Sequence, residues 1–367
     1  MIKKIIKIVL IALLVIVLAA AGYLVVLFVQ EGLASQETAN NCETLPKTTS
    51  AISYVDEKTY DTQMKNLVEP YIKKYERQSY LTMEDGAHLR YKVYVQPNAK
   101  ANIVIAHGLT EFIEKYNEMI YYFLVSGYNV YILEDRGHGE STRYVDDKQL
   151  CHVENFYEYV FDFEKFCSDV VDHQKPCYLY AHSMGGAIAA CALEDKPNFF
   201  AKAVLSSPMI KYSAGDIPNP LAKFFGAFMC KIGQSKQECI GQGRYSQDFD
   251  FEGSLDNSEA RYKYFHTLCN MNENFQTCAP TYGWLRSASY DLDEMYKPEN
   301  LAKIKAKCVV IKAGNDNRVK EYGEDHFANC VDGTKLYKVP GVKHEIYMSG
   351  NDTLMPYVDT ILKFFEG

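Results

Sequence analysis

The segment Cys177–Leu193, with the sequence CYLYAHSMGGAIAACAL, decides the fold of this chain. It begins with a short apolar run, passes through a turn of small residues around Ser183, and continues as an apolar run of helical length. We interpret 177–181 as a buried strand and 184–194 as a helix, because a strand that is covered on both faces lacks polar alternation. The segment therefore predicts one strand–turn–helix unit of a parallel sheet.

Strand and helix patterns alternate on both sides of this unit. Short apolar runs, which we interpret as further strands, cover residues 88–95, 101–106, 129–133, 201–205, 308–313 and 335–339. Helical patterns cover residues 56–78, 116–126, 153–172 and 358–365. Because parallel strands are joined by helical crossovers, the alternation predicts an α/β fold with an open, doubly wound, mostly parallel sheet.

Residues 209–296 interrupt this alternation. They contain no clear buried strand and are rich in Phe, Tyr and Met. A connection of about 90 residues is too long for a structureless loop in a compact domain. We therefore expect a mainly helical cap subdomain that is inserted between two strands of the sheet.

The N-terminal segment is strongly apolar, with no charged side chain in residues 8–29. A helix of that length would measure about 33 Å, which matches the hydrocarbon thickness of a bilayer. The cluster of Lys3, Lys4 and Lys7 before it predicts a cytoplasmic N-terminus and an extracytoplasmic body. A cleaved signal peptide is the alternative, since residues 19–22 are small. We expect a single-pass membrane protein.

These patterns divide the chain into a membrane anchor at 1–30, a tether with an N-terminal helix at 31–78, and an α/β domain at 79–367 that carries the cap. The chain has 39 basic and 47 acidic side chains, and no basic run follows the first few residues. This balance excludes most nucleic-acid-binding functions. We therefore predict no nucleic-acid partner, and no feature of the sequence predicts a protein partner.

All 11 cysteines lie after the apolar N-terminal segment. In an extracytoplasmic body, Cys230 with Cys239 and Cys269 with Cys278 are candidate disulfides that would stiffen the cap. The alternative is that these cysteines are small buried apolar side chains. No CxxC pair and no Cys/His cluster has the spacing of a zinc site, so we predict no metal.

Ser183 lies in the turn of the strand–turn–helix unit. The sequence AHSMG from Ala181 to Gly185 follows the pattern G-x-S-x-G, with Ala in the first position. Small residues two places before and after the serine allow the turn to pass close to neighbouring backbone. Such a turn lifts the serine oxygen above the sheet at the N-terminus of a helix, where it can act as a nucleophile.

A serine nucleophile needs a base, and the base needs a third group to orient it. Asp316 and His344 each follow directly after a predicted strand late in the chain, and the chain order serine, acid, histidine is typical of this arrangement. We predict that His344 takes the proton of Ser183 and that Asp316 orients the imidazole. Asp325 is the alternative acid.

Two backbone N–H groups are predicted to stabilise an oxyanion, one on Met184 and the other on Leu109, in the loop after an early strand. His107, His182 and the charged segment 135–139 are interpreted as structural. No Gly-rich phosphate loop or dinucleotide fingerprint accompanies these elements, so we predict no cofactor.

Several of these segments recur together in one group of enzymes. They are HGLTE at 107–111, LEDRGHGES at 133–141, HSMGG at 182–186, AGND at 313–316 and GVKHE at 341–345. From about Tyr80 to its C-terminus the chain resembles the α/β-hydrolase superfamily, specifically the monoacylglycerol lipase and lysophospholipase group of serine hydrolases. The cap resembles that of bacterial lysophospholipase L2 in NSEARY at 257–262 and PTYGWL at 280–285. Ala181 in place of glycine and the membrane anchor depart from the family pattern.

The resemblance implies an esterase that acts on single-chain lipids such as lysophospholipids or monoacylglycerols, through an acyl-enzyme on Ser183. The apolar inner face of the cap would hold the acyl chain. A proline-iminopeptidase-like aminopeptidase is the first alternative, because it shares the core motifs and because Glu252, Asp256 and Glu259 are available to bind a substrate amine. A non-catalytic binding protein on the same fold is the second alternative.

Overall fold

The computed structural model describes residues 2–39, 41–47 and 52–367, without the side chains of residues 2–5, 7 and 8. The side chains of Lys3, Lys4 and Lys7, on which the predicted orientation of the anchor rests, therefore lie outside the described part. Residues 40 and 48–51 of the predicted tether lie outside it as well.

The described residues form a large central sheet and one small strand pair. The strands are β1 (Cys42–Thr44), β2 (Glu76–Thr82), β3 (His88–Tyr94), β4 (Asn102–Ala106), β5 (Asn129–Leu133), β6 (Leu150–Cys151), β7 (Cys177–His182), β8 (Lys202–Ser206), β9 (Ala279–Pro280), β10 (Lys307–Ala313) and β11 (Lys335–Val339). The central sheet has the order β1-β11-β10-β8-β7-β4-β5-β3-β2, and β6 pairs with β9. Only the pairs β2–β3 and β3–β5 of the central sheet are antiparallel. The predicted α/β fold with a mostly parallel sheet is confirmed.

Helices cover both faces of this sheet. The α-helices of the described residues are α1 (Ile2–Ala34), α2 (Tyr60–Gln63), α3 (Glu69–Lys73), α4 (Asn117–Val125), α5 (Tyr157–Val170), α6 (Met184–Asp195), α7 (Asn219–Lys231), α8 (Glu259–Met271), α9 (Tyr282–Tyr290), α10 (Leu292–Met295), α11 (Pro298–Leu301), α12 (Glu321–Cys330) and α13 (Asn351–Glu366). Side chains of α5, α6 and α12 belong to one buried apolar cluster, and side chains of α4 and α13 belong to the other.

The strands at the centre of the sheet are apolar because both of their faces are covered. All residues of β4 and β5 are buried. Val104 points into one cluster, whereas its neighbours Ile103 and Ile105 point into the other, as the two-residue period of a strand requires. Two hydrophobic cores of this kind explain why these strands lack polar alternation in the sequence.

Two edge strands differ from the expectation drawn from the sequence. The helical pattern predicted for residues 56–78 ends at Lys73, and β2 begins at Glu76. Most side chains of β2 are exposed, because it is an edge strand with a single neighbour, and it therefore has no apolar run. At the opposite edge, β1 lies within the predicted tether and pairs in parallel with β11.

Helices α7 to α10 and the short strand β9 lie between β8 and β10, in the segment for which the sequence predicts a helical cap. Part of the aromatic content of this segment packs on the core of the protein. The ring of Phe275 stacks on Phe112 with a centroid separation of 4.0 Å, and Phe265 lies 5.7 Å from the same ring. These aromatic side chains form the base of the cap.

All 11 cysteines are free thiols, so neither of the two candidate disulfides is formed in this structure. The Sγ atom of Cys269 instead lies 3.4 Å from the carbonyl oxygen of Phe275. Cys239 is buried, and burial raises the pKa of its thiol to about 12. Cys269 and Cys239 therefore fit the alternative interpretation as small buried side chains.

One helix of the described residues, from Val9 to Ala34 within α1, is long and apolar enough to cross a membrane. A membrane span and a signal sequence share these properties. The end of α1 packs beside α7, where Leu27 is only 5% exposed. The hydroxyl of Tyr23 lies 2.9 Å from the hydroxyl of Tyr290 at the end of α9. The last turns of the apolar helix are therefore docked against the cap.

Candidate active site

Ser183 occupies the turn between β7 and α6 in a strained backbone conformation. Its φ of 52° and ψ of −119° lie outside the regions that residues other than glycine ordinarily adopt. The turn is held by two backbone hydrogen bonds. The N–H of Ser183 donates to the carbonyl oxygen of Ser206 at 3.1 Å, and the N–H of Met209 donates to the carbonyl oxygen of Ser183 at 2.8 Å. These contacts fix the nucleophile candidate at the carboxyl edge of the parallel strands.

The small residues around Ser183 are required by close backbone contacts. A Cβ atom on Gly185 would lie 2.2 Å from the carbonyl oxygen of Ala106 at the end of β4. A Cβ atom on Gly186 would lie 2.5 Å from the Cβ atom of Pro208. Ala181, which stands where the pattern usually has glycine, is fully buried in β7. The beginning of α6 can therefore approach the neighbouring strand only with glycine at these two positions.

The structure brings Ser183, His344 and Asp316 together, although they lie far apart in the sequence. The Nε2 atom of His344 lies 2.8 Å from Oγ of Ser183, and its Nδ1 atom lies 2.7 Å from Oδ2 of Asp316. Ser183 is 8% exposed and His344 is 3% exposed. The three residues follow β7, β10 and β11, whose carboxyl ends meet at the same edge of the sheet.

Asp316 is held as a carboxylate by several hydrogen bonds. Its Oδ1 atom accepts the backbone N–H groups of Arg318 at 2.7 Å and Val319 at 3.1 Å. Burial raises the pKa of Asp316, but the bonds from His344 and from these two N–H groups outweigh it and hold the pKa below its usual value. The alternative acid, Asp325, instead accepts a hydrogen bond from Lys312.

The two predicted oxyanion donors follow neighbouring strands of the sheet. Met184 begins α6, so its N–H is one of the free donors at a helix N-terminus. Leu109 follows β4, which pairs in parallel with β7. Among the described residues, neither N–H has a hydrogen-bond partner. The loop of Leu109 is shaped by Glu111, which accepts the N–H of Gly108 at 2.5 Å.

A cluster of buried charged side chains lies next to these residues, and the sequence patterns do not reveal it. The Nζ atom of Lys115 donates to Glu345 at 2.8 Å and lies 3.3 Å from Glu111. The ring of His182 lies 4.8 Å from the ring of His344, measured between centroids. The spacing of Glu111 and Lys115, four residues apart, is the one local feature that indicates a contact between them.

The pKa values within this cluster follow from burial and from the ammonium group. Burial raises the pKa of Glu111, but the electrostatic interactions with Lys115 and His182 outweigh this effect. They hold the pKa of the Glu111 carboxyl well below its usual range. Burial lowers the pKa of His182 to about 4, so its ring is neutral near pH 7. The cluster therefore holds a permanent positive charge on Lys115 beside the loop of His344.

The same cluster has donor atoms with the spacing of a metal site. One ligand atom each of Glu111, His182 and Glu345 lies within 4.8 Å of the others. The ammonium group of Lys115 already contacts both carboxylates, however, and supplies the positive charge that a metal ion would bring. The residues fit an internal ion-pair network better than a metal centre.

The charged segment 135–139 braces loops of the domain, in agreement with its structural interpretation. Arg136 forms a bidentate pair with the buried Asp162 of α5, with both distances at 2.6 Å. The N–H of Asp135 donates to Nε2 of His107 at 3.0 Å. These side chains hold the loop after β5 against α5 and against the end of β4.

The three acidic residues of the aminopeptidase alternative have different environments. Glu252 and Glu259 are exposed, whereas Asp256 is buried. Burial and the neighbouring Glu345 raise the pKa of Asp256 well above its usual value, although Lys115 opposes them. Of the three carboxyl groups, only that of Asp256 therefore lies within the protein.

Comparison with known proteins finds one hydrolase family and relatives that are named as lipases of single-chain lipids. The family described as "Serine aminopeptidase, S33" matches residues 97–351. A probable lysophospholipase L2 of Haemophilus influenzae is 25% identical over 275 residues, which cover 73% of this chain and 85% of that protein. Lysophospholipase L2 of Escherichia coli is 24% identical over 278 residues, with 72% and 80% covered. Monoglyceride lipase of Mus musculus is 31% identical over 147 residues, with 37% and 44% covered.

Solved structures share the same architecture. A soluble variant of monoglyceride lipase from Saccharomyces cerevisiae has a TM-score of 0.63 at 16% identity, and the match covers 80% of this chain and 95% of that one. A thermostable carboxyl esterase from Bacillus coagulans has a TM-score of 0.62 at 18% identity, with 80% and 98% covered. At such low identities the likeness establishes the fold.

Proposed function

This chain belongs to the serine aminopeptidase S33 family of α/β-hydrolases, and we propose that it cleaves the carboxylic ester of a single-chain lipid. The protein is an ester hydrolase that resembles lysophospholipases and monoglyceride lipases. The observation that carries the proposal is the position of His344, within hydrogen-bond distance of both Ser183 and Asp316. A lysophospholipid or a monoacylglycerol is the proposed substrate, because the relatives are named for these lipids.

In the proposed acylation step, Nε2 of His344 takes the proton of Ser183 while Oγ attacks the ester carbonyl carbon. The carbonyl electrons move to oxygen, and the N–H groups of Met184 and Leu109 bind this oxyanion. His344 then gives its proton to the departing glycerol oxygen, and the acyl group remains on Ser183. Asp316 stabilises the imidazolium that exists between these transfers.

The proposed deacylation step repeats this chemistry with water. His344 removes a proton from a water molecule, whose oxygen attacks the acyl carbon. The oxyanion again lies against the N–H groups of Met184 and Leu109, and Ser183 leaves as an alcohol after His344 returns the proton. The products are a free fatty acid and a glycerol derivative, and no cofactor takes part in the proposed cycle.

We propose that α1 crosses the membrane with its N-terminus in the cytoplasm, so that the cap meets lipid at the extracytoplasmic side. Apolar side chains spaced along one side of α7 and its flanks are exposed, namely Ile217, Leu221, Phe228 and Ile232. Because α1 packs beside α7, this exposed apolar face lies level with the last turns of the apolar helix. The arrangement supports a substrate that enters the cap from the adjacent leaflet.

Replacement of the nucleophile tests the proposed activity. We expect Ser183→Ala to lower kcat on lysophosphatidylcholine, monoolein and 4-nitrophenyl butyrate by about 10³-fold or more, because the substitution removes the proposed acyl acceptor. The measurement is steady-state hydrolysis by purified wild-type and variant protein, with a prolyl amide as the substrate of the aminopeptidase alternative.

The results for the lipid esters and for the prolyl amide distinguish the three candidate functions. Ser183-dependent turnover of the lipid esters, well above that of the prolyl amide, supports the proposal. Ser183-dependent turnover of the prolyl amide alone identifies an aminopeptidase. If no substrate shows a difference between wild type and Ser183→Ala, the proposed mechanism is wrong and a binding function is favoured.

A further inference from the structure

A segment of the cap before α8 lies directly beside the loop that carries His344. The Oδ1 atom of Asn257 accepts the backbone N–H of Lys343 at 2.8 Å. The backbone N–H of Asn257 donates to the carbonyl oxygen of Met348 at 3.2 Å, and Asn257 pairs with Ser349 as an isolated parallel bridge. Asn257 thus contacts the His344 loop on both sides of the histidine.

Further bonds extend the contact along the same two segments. Lys343 reaches across with its Nζ atom to the carbonyl oxygen of Ser254 at 3.1 Å. On the C-terminal side of His344, the N–H of Glu345 donates to the carbonyl oxygen of Leu255 at 3.4 Å. The two residues that flank His344 are therefore both bonded to the cap.

The cap segment is itself fixed to the core by a buried ion pair. Arg261 in the first turn of α8 is 0% exposed, and its Nε and Nη2 atoms donate to the carboxylate of Glu118 in α4 at 2.9 Å and 2.8 Å. Nη2 also donates to Oδ1 of Asn351 at the start of α13. A bidentate pair of this kind is rigid, and moving it would leave a buried charge without its partner.

The core holds the His344 loop at a different point. The hydroxyl of Ser207 donates to the carbonyl oxygen of His344 at 3.0 Å. The imidazole bonds to Ser183 and Asp316 set the rotation of the ring, but they do not fix the backbone on either side of it. That backbone is held from the core by Ser207 and by Asn315, whose N–H donates to the carbonyl oxygen of Val342 at 2.8 Å, and from the cap by Asn257.

We propose that Asn257 is a positioning residue, which holds the His344 loop from the cap so that the imidazole lies between Ser183 and Asp316. The inference rests on the proposed function, in which His344 is the base. Under this inference the cap serves the chemistry of the site as well as its access. A displacement of His344 by about 1 Å is enough to lower the rate of the chemical step by about 100-fold.

Three variants test the inference on a soluble ester, 4-nitrophenyl butyrate. Asn257→Leu removes the acceptor for the Lys343 N–H at similar size, and we expect kcat to fall by about 10- to 100-fold with KM changed less than about twofold. Asn257→Asp keeps the acceptor atom but loses the Nδ2 donor, which lies 3.5 Å from the carbonyl oxygens of Lys343 and Glu345, and it should recover part of the loss. Asn270→Leu is the matched control in the helix that follows, α8, because Asn270 contacts Tyr245 and His266 and not the His344 loop.

A second measurement separates positioning from a general loss of folding. The rate at which a fluorophosphonate modifies Ser183 should fall in Asn257→Leu by the same factor as kcat, at a thermal midpoint close to that of Asn270→Leu. The inference is overturned if Asn257→Leu keeps the wild-type kcat. It is also overturned if Asn257→Asp loses as much activity as Asn257→Leu, or if kcat per titrated Ser183 is unchanged.

Failure of the inference and failure of the proposed function give different results in this assay. If Ser183→Ala is inactive and Asn257→Leu equals wild type, only the positioning role is wrong. If Ser183→Ala is as active as wild type, the proposed function is wrong. The positioning role of Asn257, which rests on that function, is then wrong as well.

Discussion

At the scale of single residues, the site depends on groups whose charge is set by their surroundings. The side chain of Asp316 is only 7% exposed, yet its three hydrogen-bond donors favour the ionised form. In the proposed mechanism, His344 donates its Nδ1–H to this carboxylate, which leaves Nε2 free to accept the proton of Ser183. The arrangement therefore selects the tautomer of His344 that a general base requires.

This selection predicts the effect of a neutral replacement. Asp316→Asn keeps the size of the side chain but removes the charge that stabilises the imidazolium, and an amide can favour the wrong tautomer. We expect kcat on lysophosphatidylcholine to fall by about 10³- to 10⁴-fold with a small change in KM. Asp325→Asn is the control, since Asp325 is paired with Lys312 and not with His344. A larger loss of kcat in Asp325→Asn than in Asp316→Asn would contradict this assignment.

Ser183, Asp316 and His344 can be proposed from the sequence, because each follows an apolar strand and the serine lies in a turn of small residues. Arg261 cannot be found in this way, since an arginine in a helical pattern is usually on the surface. Its partner Glu118 lies 143 residues away. Pairings of this kind depend on which elements the fold brings together, and no local pattern records them.

At the scale of secondary structure, the C-terminus of α6 carries an unfavourable carboxyl group. Glu194 is buried in the last turn of α6, and its Oε1 atom has no hydrogen-bond partner among the described residues. Burial raises the pKa of Glu194 to about 8, and Asp195 adds to the effect. A negative charge at a helix C-terminus is also opposed by the helix dipole.

The raised pKa of Glu194 predicts a pH-dependent stability. Between about pH 4.5 and pH 8, the folded protein keeps a proton on Glu194 that the unfolded chain has released, so the free energy of unfolding falls as the pH rises. Glu194→Gln removes this dependence. We expect its thermal midpoint to exceed that of wild type by about 2–5 °C at pH 9, with little difference at pH 4.5.

Thermal unfolding at both pH values measures this effect. Glu299→Gln on the exposed side of α11 is the control, and its midpoint should follow that of wild type at both pH values. The physical account of Glu194 is wrong if Glu194→Gln gives the same change in midpoint at pH 4.5 and at pH 9.

The elements that the sequence predicts well are those with two covered faces or a long amphipathic pattern. The strands β4, β5 and β10 are nearly continuous apolar runs and are located to within a residue or two. The edge strands β1 and β2 are not predicted, because an edge strand pairs on one side and exposes polar side chains. Their pairing is determined by the neighbouring strand rather than by their own composition.

At the scale of the whole molecule, α1 joins the cap to the proposed membrane. The contact between Tyr23 and Tyr290 places the cap beside the apolar helix. If α1 holds the enzyme at the bilayer, lipid substrate is presented at a high local concentration, whereas a soluble substrate gains nothing from attachment.

Removal of residues 1–30 tests this coupling. We expect hydrolysis of lysophosphatidylcholine in phospholipid vesicles to fall by about tenfold or more, while kcat/KM on 4-nitrophenyl butyrate stays within about twofold. The control is Tyr23→Phe, which keeps the anchor and loses only the hydroxyl contact with Tyr290. Unchanged vesicle hydrolysis after removal of residues 1–30 would refute the coupling.

The short strand β1 has a practical consequence for any soluble form of the protein. It covers the edge of β11, whose backbone N–H and C=O groups would otherwise be open on that side. An uncovered strand is a template for a strand of another molecule. A soluble form that starts at residue 31 keeps β1, whereas one that starts after residue 47 exposes β11 to edge-to-edge aggregation. Three residues of the tether thus cover strand β11 at this edge of the sheet.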